Sequence, residues 1–230
     1  SDVCSSDLWK WPGDEDWQSI GLLLLSFVCF IFCFISVGYF FNITITYFSC
    51  LAVVISYAGT LCLFRNWLRS YSGIHISLSN ILWSAFSVLL SVLISSLFYD
   101  YSYDGQSYHG EAIIQLANGW NPVYSYLPGQ TTIDVVINHF PKASWLTGAF
   151  FYKLTGCFES AKSANTILFF SSFFIALPFF KKWFQNKTAL IISLLLSANP
   201  IFLNIYLSNM LDGQAASIDR KSTRLNSSHL

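Results

Sequence analysis

The amino-acid sequence predicts an all-α fold: a polytopic transmembrane helix bundle with about five spanning helices and a long outer loop carrying two short interfacial helices. The composition is the first observation behind this prediction. Of the 230 residues, 54% are hydrophobic, 18% are aromatic and only 10% are charged, whereas soluble domains carry about 25% charged residues. The second observation is that the apolar residues form long runs. The net charge is zero, so nucleic acid is not an expected partner.

Five apolar runs are long enough to cross a bilayer, which takes about 20 residues. They cover residues 19–40, 43–64, 77–98, 163–180 and 187–207. The first two runs meet at Asn42 with almost no loop, which predicts a tight helical hairpin. A shorter apolar piece, Ser144 to Thr155, contains Lys153 and lies between Pro141 and Gly156. About 12 residues are too few to span, so we expect this piece to be interfacial or re-entrant.

Basic residues in the short connections orient the bundle, because Lys and Arg mark cytoplasmic loops. Arg65 and Arg69 follow the second run, and Lys181 and Lys182 follow the fourth. Both connections are therefore predicted to be cytoplasmic. The loop of residues 99–162 then lies outside, and this assignment requires that Ser144 to Thr155 does not cross.

Both ends of the chain are interpreted as adapter-derived. Residues 219–229 back-translate to a sequencing-library adapter, and residues 1–8 back-translate to the reverse complement of its first part. We therefore expect residues 1–8 and 219–230 to be foreign to the fold and the gene to be cut at both ends. The informative part then divides into an N-terminal segment with a transmembrane hairpin, residues 9–64, and a core fragment, residues 77–217, which is not expected to be active alone.

The long outer loop is the expected place for chemistry, since loops of this length are usually functional. Glu111 to Asn118 has apolar positions at helical spacing, with Gly119 as a C-cap, and predicts the first short helix. Ser144 to Thr155 is the second. Asp104 follows the third spanning run among aromatic neighbours, whose desolvation raises a carboxylate pKa towards the range of a general base. A solvated acid at a helix end is the competing interpretation of Asp104.

A repeated tripeptide favours a functional role for this acid. Asp104-Gly105-Gln106 recurs as Asp212-Gly213-Gln214, again just beyond the outer end of a spanning run. Both acids are thus expected in one compartment. Asp100 lies nearer the helix end and is expected to be a solvated interfacial charge.

The order of features from residue 77 to residue 216 resembles the GT-C superfamily of polytopic glycosyltransferases, such as protein O-mannosyltransferases and aminoarabinose lipid A transferases. Asp104-Gly105-Gln106-Ser107-Tyr108 resembles the acidic motif that follows the first core helix, although Gly105 stands where Glu is common. Gly119-Trp120-Asn121-Pro122 resembles the turn after the first surface helix. His139-Phe140-Pro141-Lys142 through Gly156 resembles the second surface helix, and Asp212 resembles the second acid.

The resemblance implies transfer of a sugar from a polyprenyl-phosphate-linked donor to a lipid or glycan acceptor at the outer face of a bacterial inner membrane. It implies catalytic roles for Asp104, as general base, and for Asp212. It also implies substrate or phosphate binding by five further residues: His139, Lys142, Tyr108, Gln106 and Trp120. Contact with lipid headgroups is the competing interpretation of Lys142, and a place in the interfacial aromatic belt is that of Tyr108 and Trp120. Some relatives hold a divalent metal between two such acids, and the sequence leaves metal dependence open. The alternative is a non-catalytic polytopic membrane protein, such as a polysaccharide or lipid translocation component, which would not need Asp104 and Asp212.

Overall fold

A computed structural model describes residues 12–72, 74, 76–129, 131–198 and 208–209. Within these residues the chain is helical and contains no β-strand. Residues 1–8 and 219–230, which we interpreted as adapter-derived, and Asp212 lie outside the described residues, as does the second half of the fifth predicted span. The all-α prediction is confirmed, and four helices are long and apolar enough to cross a membrane.

Eight α-helices follow one another in the described part of the chain. They are α1 (Asp14–Phe40), α2 (Tyr47–Ser72), α3 (Leu78–Leu97), α4 (Gly110–Ala117), α5 (Thr132–His139), α6 (Ala143–Thr155), α7 (Ser163–Lys181) and α8 (Asn186–Ser197). A π-helical turn, Gly105–His109, precedes α4, and a 3-10 turn, Phe158–Lys162, precedes α7. The four candidate spans are α1, α2, α3 and α7, the last together with its 3-10 turn. The described part of the fifth predicted span is α8, which is apolar but has only 12 residues.

The turn between α1 and α2 lies where the sequence predicts it. Asn42 has a φ of 58°, a left-handed conformation that Asn tolerates better than most residues. Its side-chain oxygen accepts a hydrogen bond from Asn121 Nδ2 at 3.1 Å. Asn121 Nδ2 also donates to the carbonyl of Tyr39 at 3.1 Å. The long loop is therefore fastened to the end of the bundle at which α1 ends and α2 begins, which we call the loop end.

Small residues allow the spanning helices to approach closely. A Cβ on Gly21 of α1 would lie 2.9 Å from the carbonyl oxygen of Ser171 in α7. Ser171 Oγ donates to the carbonyl of Gly21 at 2.6 Å. In α3, Ser95 is buried and hydrogen-bonds Thr166 of α7 at 3.0 Å. Such contacts hold helices together where lipid removes the usual hydrophobic drive for helix association.

Helix α6 is enclosed by other parts of the chain. Residues 144–151 are all buried, and the helix packs on α1, α2, α4 and the 3-10 turn. The rings of Phe150 and Phe27 lie 6.4 Å apart, and Phe27 stands halfway along α1. Thirteen residues extend for about 20 Å, too little to cross a hydrocarbon core of about 30 Å. Of the two expected placements, burial among the bundle helices favours the re-entrant one.

One helix of the loop was not predicted. The structure places α5 between Thr132 and His139, in a stretch whose polarity predicted no helix. Thr131 caps it, because Thr131 Oγ1 accepts from the Asp134 N–H at 3.1 Å while the Asp134 carboxylate accepts from the Thr131 N–H at 3.2 Å. This reciprocal pair is a capping box, and its Thr-x-x-Asp signature is visible in the sequence.

Candidate functional site at the loop end

A cluster of buried polar side chains lies at the loop end, and Asp100 is its centre. Asp100 is only 2% exposed. Its Oδ1 accepts from the N–H and the hydroxyl of Ser102, at 2.9 and 2.6 Å. Its Oδ2 accepts from the N–H of Asn209 at 2.8 Å. The expectation of a solvated interfacial charge at Asp100 is therefore wrong, because segments distant in sequence close over this carboxylate.

A buried ion pair continues the cluster. Lys162 is 1% exposed, and its ammonium donates to the Glu159 carboxylate and to the carbonyl of Phe98 at the end of α3. The same carboxylate accepts from the N–H of Asp100 at 3.2 Å. The positive charge thus lies where a helix C-terminus favours it. We call Asp100, Ser102, Glu159, Lys162, Asn165 and Asn209 the polar cluster.

Two amide side chains of the polar cluster retain unused bonding capacity. Asn165 Nδ2 donates to the carbonyl of Ser208 at 2.9 Å, but Asn165 Oδ1 has no hydrogen-bond partner among the described residues. In the same described part of the chain, neither polar atom of the Asn209 side chain has a partner, although Asn209 is only 6% exposed. Sequence reasoning singled out none of Glu159, Lys162 and Asn165. Glu159 and Lys162 could have been recognised from the sequence as an ion pair, because an acid and a base three residues apart share one face of a helical turn.

Asp104 has different surroundings from Asp100. It is half-buried and precedes the π-helical turn, and its side chain does not cap that turn. Within the described residues no hydrogen bond to its carboxylate is formed, and its backbone carbonyl accepts from Ser107 Oγ at 3.3 Å. Gln106 is exposed, and its Nε2 donates to the carbonyl of Asp100 at 2.7 Å. Within the described residues the Asp104 carboxylate is therefore not committed to a hydrogen bond.

Aromatic rings pack beside this segment. His109 is buried, and its Nδ1 accepts from the indole N–H of Trp145 at 2.6 Å. Because Nδ1 accepts, the neutral ring carries its proton on Nε2. The ring of Tyr108 lies 4.2 Å from that of His109 and 5.3 Å from that of Phe140. Helix α6, which carries Trp145, thus supports the turn that follows Asp104.

The predicted anion-binding residues His139 and Lys142 lie at the last residue of α5 and at the N-cap of α6. Helix α5 packs against the π-helical turn, and Phe140 joins the two. His139 is exposed, and its Nδ1 donates to the carbonyl of Val135 at 2.8 Å. Lys142 Nζ donates to the carbonyl of Asn138 at 2.6 Å, and partial burial lowers the Lys142 pKa. Phe140, which lies between His139 and Lys142 in sequence, contacts the rings of Tyr108 and His109 in the turn after Asp104.

Trp120 occupies another position. It is 9% exposed and belongs to the hydrophobic core. Its indole N–H donates to the carbonyl of Ser125 at 3.0 Å. This side chain anchors the turn after α4, and little of its ring surface is available to a ligand.

An apolar cavity of about 450 Å³ lies among α1, α2, α3 and α6. Phe27, Tyr57, Val88, Phe150 and Leu154 are among its lining residues. Its volume falls within the range of small-molecule sites, and its walls suit a hydrocarbon chain.

In the described part of the chain, no three His, Cys, Asp or Glu side chains are grouped so that they could hold a metal ion. Asp212 lies outside that part. No family model matches the sequence, and no curated protein or solved structure matches it at a significant level. The functional interpretation therefore rests on the site and on the resemblance in motif order.

Proposed function

We propose that the protein is a membrane glycosyltransferase of the GT-C type, with Asp104 as its general base. One observation carries this proposal. The described loop contains five carboxylates, and four of them accept hydrogen bonds. Asp100 and Glu159 are bonded within the polar cluster, Glu111 accepts from Gln115 at 2.6 Å and Asp134 caps α5. Asp104 is the fifth, and its carboxylate accepts no hydrogen bond from the described residues. It is therefore the carboxylate that we assign as the general base.

The proposed reaction is a displacement at the anomeric carbon of the sugar. The acceptor hydroxyl oxygen forms the new bond, the bond from the anomeric carbon to the polyprenyl phosphate breaks, and Asp104 takes the hydroxyl proton. Attack from the face opposite the phosphate inverts the anomeric configuration. A general base positioned in this way contributes about 100-fold or more to the rate.

Negative charge develops on the departing phosphate, and cationic groups stabilise such charge. His139, the last residue of α5, and Lys142, the N-cap of α6, are the basic groups proposed for this role, and α5 packs against the turn after Asp104. Tyr108 and Gln106 lie in that turn and offer a ring face and an amide to the sugar. Because Trp120 is largely buried, it would act by supporting the loop.

Asp212 is the second acid of the proposal. Asn209 precedes it by three residues and donates its N–H to Asp100, which precedes Asp104 by four residues. Ser102 and Asn209, each a few residues before one of the two acids in sequence, therefore donate their N–H groups to the same carboxylate. The apolar cavity supports a lipid-linked donor, because a polyprenyl chain requires apolar walls. The proposed location is the inner membrane of a bacterium, with the loop end on the periplasmic or extracellular side.

The test is sugar transfer from a polyprenyl-phosphate donor by membranes that contain the full-length protein. Asp104→Asn keeps the size and polarity of the side chain but removes the base. We expect the rate to fall about 100-fold or more. Asp134→Asn removes a carboxylate from the same loop and preserves the cap of α5, so its rate should match that of the wild type. Undiminished transfer by Asp104→Asn would refute the catalytic assignment.

A non-catalytic translocation component is the competing class of function. It predicts no sugar transfer by the wild-type protein with any polyprenyl-phosphate donor, and no effect of Asp104→Asn on movement of a lipid-linked glycan. The same two proteins, tested for transfer and for translocation, therefore distinguish the two classes.

A further inference from the structure

A basic pocket lies at the end of the bundle opposite the loop end. Arg65 and Arg69 stand four residues apart on α2, so their side chains share one face of the helix. Together with Asn66, Ile76 and Ser77 they line a cavity of about 270 Å³ between the end of α2 and the start of α3. The cavity therefore has two guanidinium groups in its wall and the first turn of a 20-residue helix beside it.

No carboxylate in the described residues neutralises this pocket. Neither guanidinium forms a salt bridge there, and both side chains are exposed. The acids at the same end of the bundle have other partners. Asp14 pairs with Lys181 at 2.7 Å, and Asp16 accepts from Asn80 Nδ2 at 3.0 Å. Two positive charges thus line one cavity, and no carboxylate of the described residues pairs with them.

The side chains beside the pocket are of the kinds found at the depth of lipid headgroups. Trp67 stands between the two arginines in sequence and is 55% exposed. Its ring contacts that of Phe64, with centroids 6.5 Å apart, and Leu63 beside them is also exposed. Exposed Trp at the end of an apolar span marks the membrane–water interface. A molecule bound in the pocket would therefore contact water, the two arginine side chains and the hydrocarbon of neighbouring lipid.

We propose that this pocket binds the phosphodiester headgroup of an anionic phospholipid in the leaflet opposite the loop end. Guanidinium groups bind phosphate oxygens through paired, charge-assisted hydrogen bonds. Basic pockets between transmembrane helices bind acidic headgroups in the same way. The exposed apolar face of α2 would contact the acyl chains of the same lipid. By the distribution of Lys and Arg this leaflet is the cytoplasmic one.

The test is a lipid titration of the purified full-length protein, read by native mass spectrometry, with phosphatidylglycerol and phosphatidylcholine as probes. The wild type should bind phosphatidylglycerol more tightly. Arg65→Gln with Arg69→Gln should weaken phosphatidylglycerol binding about 30-fold, the effect of two basic residues near an anionic surface. Lys182→Gln with Lys187→Gln is the matched control, since it removes two exposed charges from the other connection at this end and should leave binding unchanged.

A second variant separates pocket geometry from charge. Arg65→Lys with Arg69→Lys keeps both charges but loses the planar fork, so binding should fall between that of the wild type and that of the Gln variant. Inorganic phosphate should not displace the lipid. Three results would overturn the proposal. The first is equal affinity of the wild type for the two lipids, and the second is an equal loss of phosphatidylglycerol binding in the Arg65→Gln, Arg69→Gln variant and in the Lys182→Gln, Lys187→Gln control. The third is displacement of the lipid by inorganic phosphate at a concentration comparable with that of the lipid.

Discussion

Asp100 and Asp104 lie four residues apart at the loop end, and their carboxylates have opposite surroundings. Asp100 is buried and accepts three hydrogen bonds, one of them from Asn209. Asp104 is half-buried and accepts none from the described residues. The first carboxylate joins the start of the loop to the segment at Asn209, whereas the second forms no such connection within the described residues. Burial and partners, which depend on distant segments, separate two acids that look alike in sequence.

The comparison predicts that changes around Asp100 act on stability and that changes at Asp104 act on chemistry. Bonds to a buried carboxylate are among the stronger ones in proteins, and their loss leaves donors without acceptors. An open carboxylate contributes little to the folded state. The predictions below run from the largest expected loss of stability to the smallest.

Asp100→Ala should have the largest effect. It removes the acceptor for the Ser102 N–H, the Ser102 hydroxyl and the Asn209 N–H. We expect the free energy of unfolding to fall by about 4 kcal/mol, because buried donors lose charged acceptors. Thermal unfolding in detergent, followed by tryptophan fluorescence, measures the loss. An unchanged Tm would show that Asp100 is not the centre of the polar cluster.

Lys162→Met should be the next most damaging change. It leaves the Glu159 carboxylate, which is 16% exposed, without its cation. Breaking one side of a buried pair costs about 3 kcal/mol, and unfolding in detergent measures it. Glu159→Gln combined with Lys162→Met removes both charges and should recover most of the stability. Additive losses in this double-mutant cycle would contradict the pairing.

Gly105→Ala tests the close approach of the π-helical turn to the polar cluster. A Cβ at Gly105 would lie 2.1 Å from Asp100 Oδ2 and 2.3 Å from Ser102 Oγ. Neither atom can retreat without breaking its bonds, so we expect a loss of about 2 kcal/mol from overpacking. Gly59→Ala in α2 is the control, because nothing lies within 4 Å of its added Cβ. Equal Tm values for the two variants would contradict this geometry.

Asp104→Ala should have the smallest effect on stability. Its carboxylate accepts no hydrogen bond from the described residues, and changes at such positions usually alter stability by less than about 0.5 kcal/mol. The Tm should therefore match that of the wild type. A loss as large as that of Asp100→Ala would show that Asp104 also has a structural role.

The fold was more predictable from sequence than the site. Hydropathy alone predicted the positions of the four candidate spans. In lipid a spanning segment must form all of its backbone hydrogen bonds internally, so a long apolar run that crosses is a helix. Length and charge predicted that Ser144 to Thr155 does not cross, and this helix is not among the four that are long enough to span. Helix α5 was missed because its short apolar face is interrupted by polar residues, although the capping box of Thr131 and Asp134 was available as a signal.

The polar cluster could not be read from local sequence. The position of Asp100 depends on Asn209, which is 109 residues away, and on Glu159, which is 59 residues away. No periodicity or neighbour composition reports such contacts. In the sequence, Lys162 looks like an ordinary loop lysine. Its burial results from the packing of the 3-10 turn against the end of α3, which local sequence does not show.

The most direct measurement records Tm and the rate of sugar transfer on the same preparation of full-length Asp104→Asn. We predict a Tm equal to that of the wild type and a rate, per folded molecule, that is lower by about 100-fold or more. A rate equal to that of the wild type would contradict the account, and so would a loss of rate that merely follows a loss of folded protein.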